Sequence, residues 1–135
     1  YLLGKYIDIT IDLVSPKELA MKDDIKEYFD KHKVKYSETE DLRSVISEVD
    51  AVYQTRVQKE RFRNLEEAEK FQGLNQIDVK ILSMMKPDAI IMDPLPRVGK
   101  IFPEVDNSPQ AKYFQQAYYG LLIRMALLKF LLENS

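Results

Sequence analysis

Residues 6–14 alternate strictly. Ile7, Ile9, Ile11 and Leu13 fall on one side and Asp8, Thr10 and Asp12 on the other, a period of two that predicts a strand. Ser15-Pro16 follows as a helix-start signal, because proline fits the first helical turn. KDDIKEYFDKHK at 22–33 spaces Ile25, Phe29 and His32 on one face and predicts a surface helix, with VKYS at 34–37 as a short strand after it. In DLRSVISEV, at 41–49, Leu42, Val45, Ile46 and Val49 fall at i, i+3, i+4 and i+7, with Thr39 or Asp41 as the cap. This is the cleanest helical stripe in the chain.

The second part of the chain continues the alternation. AVYQT at 51–55 predicts a strand, and Asn64 with Glu67 fits a capping box opening a helix over 64–72. A further helix is expected over QIDVKILSMM, 76–85. AIIM at 89–92 is continuously apolar, as in a strand covered on both faces. A proline-rich loop, DPLPRVGKIFPEVDN, leads to Ser108-Pro109, where a long helix to about Glu133 is expected to begin. Such alternation predicts a single α/β domain with a doubly wound parallel sheet of four to five strands and helices on both faces.

Composition narrows the function classes. At 135 residues the chain suits one domain, and 45% hydrophobic with 31% charged residues is ordinary for a soluble globular protein. The net charge of −2 lacks the basic excess that nucleic acid or an anionic membrane demands. The apolar run LLIRMALLKFLL at 121–132 is too short and, with Arg124 and Lys129, too charged to span a bilayer. No signal peptide is evident, and LLGKY at 2–6 resembles the tail of a helix whose beginning is absent. With one histidine and no cysteine, neither a Ser-His triad nor a zinc site has material, so no metal and no cofactor are expected. His32, near a helix end, is expected to be solvated or to offset the helix dipole. The Tyr113, Phe114, Tyr118 and Tyr119 cluster is expected to pack.

In open parallel sheets, ligands bind outside the carboxyl ends of strands. That rule selects the loops at Ser15-Pro16, at 56–61 and at 93–97. In the second, an extended backbone puts Arg56 and Gln58 on one side. An arginine fork grips a carboxylate and a glutamine offers both donor and acceptor, which suits a small zwitterion with an extra carboxylate. A solvated charge run at a helix start is the alternative. In the third loop, the prolines around Leu95 fix the backbone and display carbonyl oxygens, which suit an NH2 group. A tight turn without function is the alternative there.

TRVQKERF at 55–62, PLPRV at 94–98 and VDNSPQAKYFQQAYYGLLIRMALL at 105–128 closely resemble the carboxyl-terminal, aspartate-binding domain of aspartate carbamoyltransferases, with LVSPKELAM at 13–21 in register too. The resemblance covers essentially the whole chain, and its first motif is lacking in ornithine carbamoyltransferases. It implies transfer of the carbamoyl group of carbamoyl phosphate to L-aspartate in pyrimidine synthesis. It implies that Arg56 and Gln58 hold aspartate, that the Leu95 and Pro96 carbonyls hold the carbamoyl NH2, and that Thr55, Glu60 and Arg97 support them. No catalytic residue is expected in this half. The carbamoyl-phosphate-binding domain lies outside the chain, so the chain alone is expected to be inactive. A cytoplasmic homotrimer, with or without regulatory chains, is expected of the complete enzyme. A carbamoyltransferase for another amino acid and a non-catalytic relative are the alternatives. Two positions depart from the family pattern. Asp93 stands where the family has histidine; a carboxylate about 8 Å from a phosphate costs about 1–2 kcal/mol per unit charge at an effective dielectric of 20–40. The Leu95 and Pro96 carbonyls are expected to be independent of that side chain. Gly99-Lys100 stand where an acidic pair is usual.

Overall fold

The computed structural model describes residues 1–57, 62, 66, 69–71 and 73–134. The chain forms two compact units, Tyr1–Ile46 and Ser47–Ser135.

In the first unit, strand β1 (Thr10–Val14) pairs in parallel with β2 (Lys35–Thr39), in register from Thr10 opposite Lys35 to Val14 opposite Thr39. Helix α1 (Asp23–Lys31) joins them. Asp23 and Asp24 in its first turn and Lys31 in its last both complement the helix dipole. His32 closes it, its Nδ1 2.8 Å from the Tyr28 carbonyl oxygen and its ring stacked on Tyr28, so it sits at the helix end as expected. Phe29, Leu42 and Ile46 are buried.

Two expectations fail here. The first strand starts at Thr10 and not at Tyr6, because Asp8 takes a left-handed φ of 60° that interrupts the extended run and leaves Ile7 88% exposed. The stripe at 41–49 forms only a short 3-10 turn, Leu42–Ser44. Asp41 Oδ1 accepts from the Arg43 amide and the Ser44 hydroxyl donates to the Asp41 carbonyl at 2.7 Å, both local substitutes for a helical ladder. β-Branched Val45 and Ile46 add little to hold the next turn. The stripe nonetheless marks burial correctly at Leu42 and Ile46.

In the second unit, β3 (Ala51–Tyr53) pairs in parallel with β4 (Ile90–Met92). Between them, α2 (Val79–Met84) is capped by Asp78, whose Oδ1 accepts from the Lys80 and Ile81 amides at 2.9 and 2.8 Å. Those amide bonds, the Ile81 one foremost, hold the Asp78 carboxyl below its ordinary range. The helix begins later than 76 because Ile77 is drawn into a parallel bridge with Ile101. The helix expected over 64–72 lies largely outside the described residues. Ile91 is fully buried and bridges Ala111 on its other side, which delays the last helix, α3 (Tyr113–Glu133), beyond Ser108-Pro109.

The expected sheet is thus represented by two parallel pairs, β1–β2 and β3–β4. Val52, Ile77, Ile81, Met85, Ile101, Val105 and Tyr113 form the core of the second unit.

Candidate functional site

Because β3 and β4 are parallel and paired in register, Tyr53 against Met92, their following loops leave side by side. The Gln54 amide donates to the Met92 carbonyl at 2.8 Å, extending the pairing by one bond before Thr55 and Arg56 depart into exposed positions. The two loops singled out in the second half of the chain are therefore brought to one edge. Gln58 and Glu60 lie outside the described residues.

On the β4 side, Asp93 is only 2% exposed. Its amide donates to Gln116 Oε1 at 3.1 Å, and its Oδ1 accepts from the Leu95 amide at 2.6 Å. Leu95 stands at φ 54°, a left-handed conformation that a side chain such as leucine rarely takes, and the Leu95–Pro96 peptide is cis. No described residue donates to the Leu95 or Pro96 carbonyl. The turn does lean on the Asp93 side chain, which corrects the expectation of independence. Burial pushes the Asp93 carboxyl up from its ordinary range, while the Leu95 amide bond and the Arg97 charge pull the other way.

Arg97 is committed to Asp106. Its guanidinium forms a two-pronged pair with Asp106, with Nη2 to Oδ2 at 2.7 Å, and lies 5.7 and 5.8 Å from the centres of the Tyr113 and Phe114 rings. The Tyr113 hydroxyl donates to the same carboxylate. Desolvation, reinforced by that bond, pushes the Tyr113 hydroxyl up to about 12. Tyr113 packs as expected, whereas Phe114, Tyr118 and Tyr119 are exposed.

Sequence reasoning missed three residues that hold this edge. Gln116 accepts from Asp93 and places its Nε2 3.4 Å from the Tyr53 hydroxyl, so one amide spans the ends of both strands. Asp106 anchors Arg97. Lys100 is buried, and its Nζ donates to the Leu74 carbonyl at 2.8 Å; burial lowers its pKa. Beside it, Gln76 Nε2 donates to the Gly99 carbonyl at 2.7 Å and Gln54 Nε2 to the Asn75 carbonyl at 3.3 Å, so the 73–77 segment ties the two loops together. The reversed charge at Lys100 is accommodated by a backbone carbonyl. An open concavity of about 470 Å³ lies along Gln76, Arg97, Gly99 and Phe102, but among the described residues its one charged liner is Arg97, already paired with Asp106. Among the described residues, no cluster of three His, Cys, Asp or Glu side chains is placed to hold a metal ion, and no helix is long and apolar enough to cross a membrane.

Residues 2–131 match the family model described as aspartate/ornithine carbamoyltransferase, Asp/Orn binding domain. Over 133 residues the chain is 53% identical to aspartate carbamoyltransferase 2, chloroplastic, of Pisum sativum, a match covering 98% of this chain and 34% of that protein. It is 44% identical to the aspartate carbamoyltransferase catalytic subunit of Alkaliphilus oremlandii, covering 98% of this chain and 40% of that one. The catalytic subunit of M. jannaschii aspartate transcarbamoylase superimposes with a TM-score of 0.90 at 41% identity, over all of this chain and 44% of that one. Aspartate transcarbamoylase from Trypanosoma cruzi in complex with carbamoyl phosphate and aspartate gives a TM-score of 0.83 at 34% identity, over 94% of this chain and 43% of that one. The chain spans about a third of the length of the first curated relatives it matches.

Proposed function

The chain belongs to the aspartate/ornithine carbamoyltransferase family, as its Asp/Orn-binding domain, and from that premise we propose that it is the aspartate-binding half of an aspartate carbamoyltransferase. In the complete enzyme the α-amine of L-aspartate attacks the carbamoyl carbon of carbamoyl phosphate. A C–N bond forms, the C–O bond to phosphate breaks, and N-carbamoyl-L-aspartate and phosphate leave, the committed step of pyrimidine synthesis. Arg56, with Gln58, grips the side-chain carboxylate of aspartate. The Leu95 and Pro96 carbonyls accept from the carbamoyl NH2, and Thr55, Glu60 and Arg97 support the two loops. Catalysis on this side is positioning and electrostatics, with no covalent nucleophile.

The observation that carries the reading is the shared edge: the Arg56 loop and the Leu95-Pro96 turn leave adjacent parallel strands in register. Further support comes from the two carbonyls that no described residue occupies. The relatives at 44–53% identity are named for aspartate, which favours that acceptor over ornithine.

The same proposal includes a doubly wound sheet of four to five strands, for which the all-parallel pairing speaks. It also includes an amino-terminal carbamoyl-phosphate domain, a homotrimeric assembly with or without regulatory chains, and a cytoplasmic location. A plastid is the competing compartment, since the pea relatives are named chloroplastic.

An amide NMR titration with succinate, an unreactive aspartate mimic, tests the core of it. Saturable shifts confined to the surroundings of Arg56 and Leu95 are expected. Arg56→Ala should weaken binding by about tenfold or more, since a charged hydrogen-bonding pair contributes about 1.5–3 kcal/mol. Binding that ignores Arg56→Ala, or that ornithine competes away, removes the assignment.

A further inference from the structure

Pro94 and Pro96 carry no amide hydrogen, so Leu95 supplies the one backbone donor of the 94–96 segment, and Asp93 Oδ1 holds it at 2.6 Å. That bond closes a local loop over a residue at φ 54° and sets the direction in which the Leu95 and Pro96 carbonyls point. Asp93 is itself fixed, its amide held by Gln116 and its side chain buried.

The carboxylate's second oxygen is different. Oδ2 is buried with no partner among the described residues, and the nearby guanidinium of Arg97 is committed to Asp106. Among the described residues, the fold uses one acceptor atom of this group and leaves the second oxygen unbonded. Burial that raises the carboxyl's pKa agrees, because a site built around the charge would favour the ionised form.

We propose that Asp93 is a positioning residue of the carbamoyl-holding turn, aiming the Leu95 and Pro96 carbonyls through Oδ1 alone, with its negative charge dispensable. Any side chain with an acceptor at the δ1 position serves. Asparagine offers Oδ1, and a neutral histidine offers Nδ1, the same number of bonds from Cα. The different residue at this position therefore preserves the turn. The part of this inference that concerns substrate rests on the functional reading above; the part that concerns the turn does not.

The test is hydrogen exchange of the Leu95 amide, followed by NMR in the chain labelled with 15N-leucine. Asp93→Leu, which removes the acceptor and keeps the bulk, should speed exchange at Leu95 by about tenfold or more while the amides of α2 and α3 keep their rates. Asp93→Asn, and Asp93→His above pH 7, should restore slow exchange to within about threefold of the wild type. Fast exchange in a folded Asp93→Asn protein overturns the proposal, because the charge would then be what holds the turn. Unchanged exchange in Asp93→Leu overturns it too. Should Asp93→Leu fail to fold, Asp93→Ala takes its place, and Asp93→Asn by itself still separates an acceptor role from a charge role. Succinate binding at Arg56 is read separately. Its absence alongside the expected exchange pattern removes the functional reading and leaves the role of Asp93 standing.

Discussion

The 93–113 segment and helix α3 are neighbours in sequence and opposites in how they are held. In the first, nearly every chemically active group has an appointed partner: Asp93 with Leu95 and Gln116, Arg97 and Tyr113 with Asp106, Lys100 with Leu74. In the second, every described residue from 121 to 134 is exposed, although the helix is apolar on all its faces. A helix apolar all round is the composition of a buried element. Polar groups that must be satisfied specify one conformation within a few residues, whereas apolar surface specifies only that something should cover it. The 93–113 segment is held by its own polar bonds; the distal half of the helix is not.

Asp106 is where this contrast faces its hardest trial. Asp106→Ala leaves Arg97 half-buried without its partner and should lower stability by about 2–3 kcal/mol, read from the urea midpoint. A loss no larger than that of a surface change would mean the segment is held by something other than its polar network. On the helix, the chain should self-associate in sedimentation, because exposed apolar area of this extent drives association. Ile123→Lys with Leu127→Lys, one turn apart, should weaken that association by about tenfold or more, since burying each such side chain contributes about 1.5–3 kcal/mol. A monodisperse wild-type monomer would contradict this.

Alkaline pH gives a smaller, one-sided signal. The Tyr113 hydroxyl, about 10 when unfolded and about 12 in the fold, keeps its proton longer in the native state. Its contribution is fully present below pH 10 and is lost as pH rises towards 12. Tyr113→Phe should flatten that part of the stability profile; if the decline is unchanged, Tyr113 is not its source. The smallest effect is expected at the far end of α3. Leu132→Ala should change monomer stability by less than about 0.5 kcal/mol, and a larger loss would show that the helix is packed after all.

What the sequence made legible follows the same divide. Apolar pattern located the strands at 51–53 and 90–92 and the buried positions Leu42 and Ile46. It failed to foresee that the 41–49 stripe would stop after one turn, because the decisive bonds come from Asp41 and Ser44, which the pattern counts only as polar. The late start of α3 was hidden for a related reason: Ala111 and Gln110 are engaged by Ile91, a pairing between residues about twenty positions apart. At the β4 edge, a rigid turn around Leu95 was legible from the prolines on either side of it, since proline acts locally. Gln116 and Asp106 were not, because a glutamine in a helix and an aspartate in a loop carry no mark of the distant amide or guanidinium they meet.

The tie at Gln116 also has a mechanical side. Helix α3 runs 21 residues, a rod of about 31 Å, and its first turn is pinned by buried Tyr113 and by the glutamine that touches both strand ends. A rod clamped at one end is a lever. Swinging it by about 5° carries the free tip nearly 3 Å while the clamped turn shifts by only a few tenths of an ångström, given a rise of about 1.5 Å per residue. Whatever leans on the distal turns of α3 therefore acts on the Asp93 amide with a long arm, turning a coarse displacement at the tip into a fine one at the strand ends.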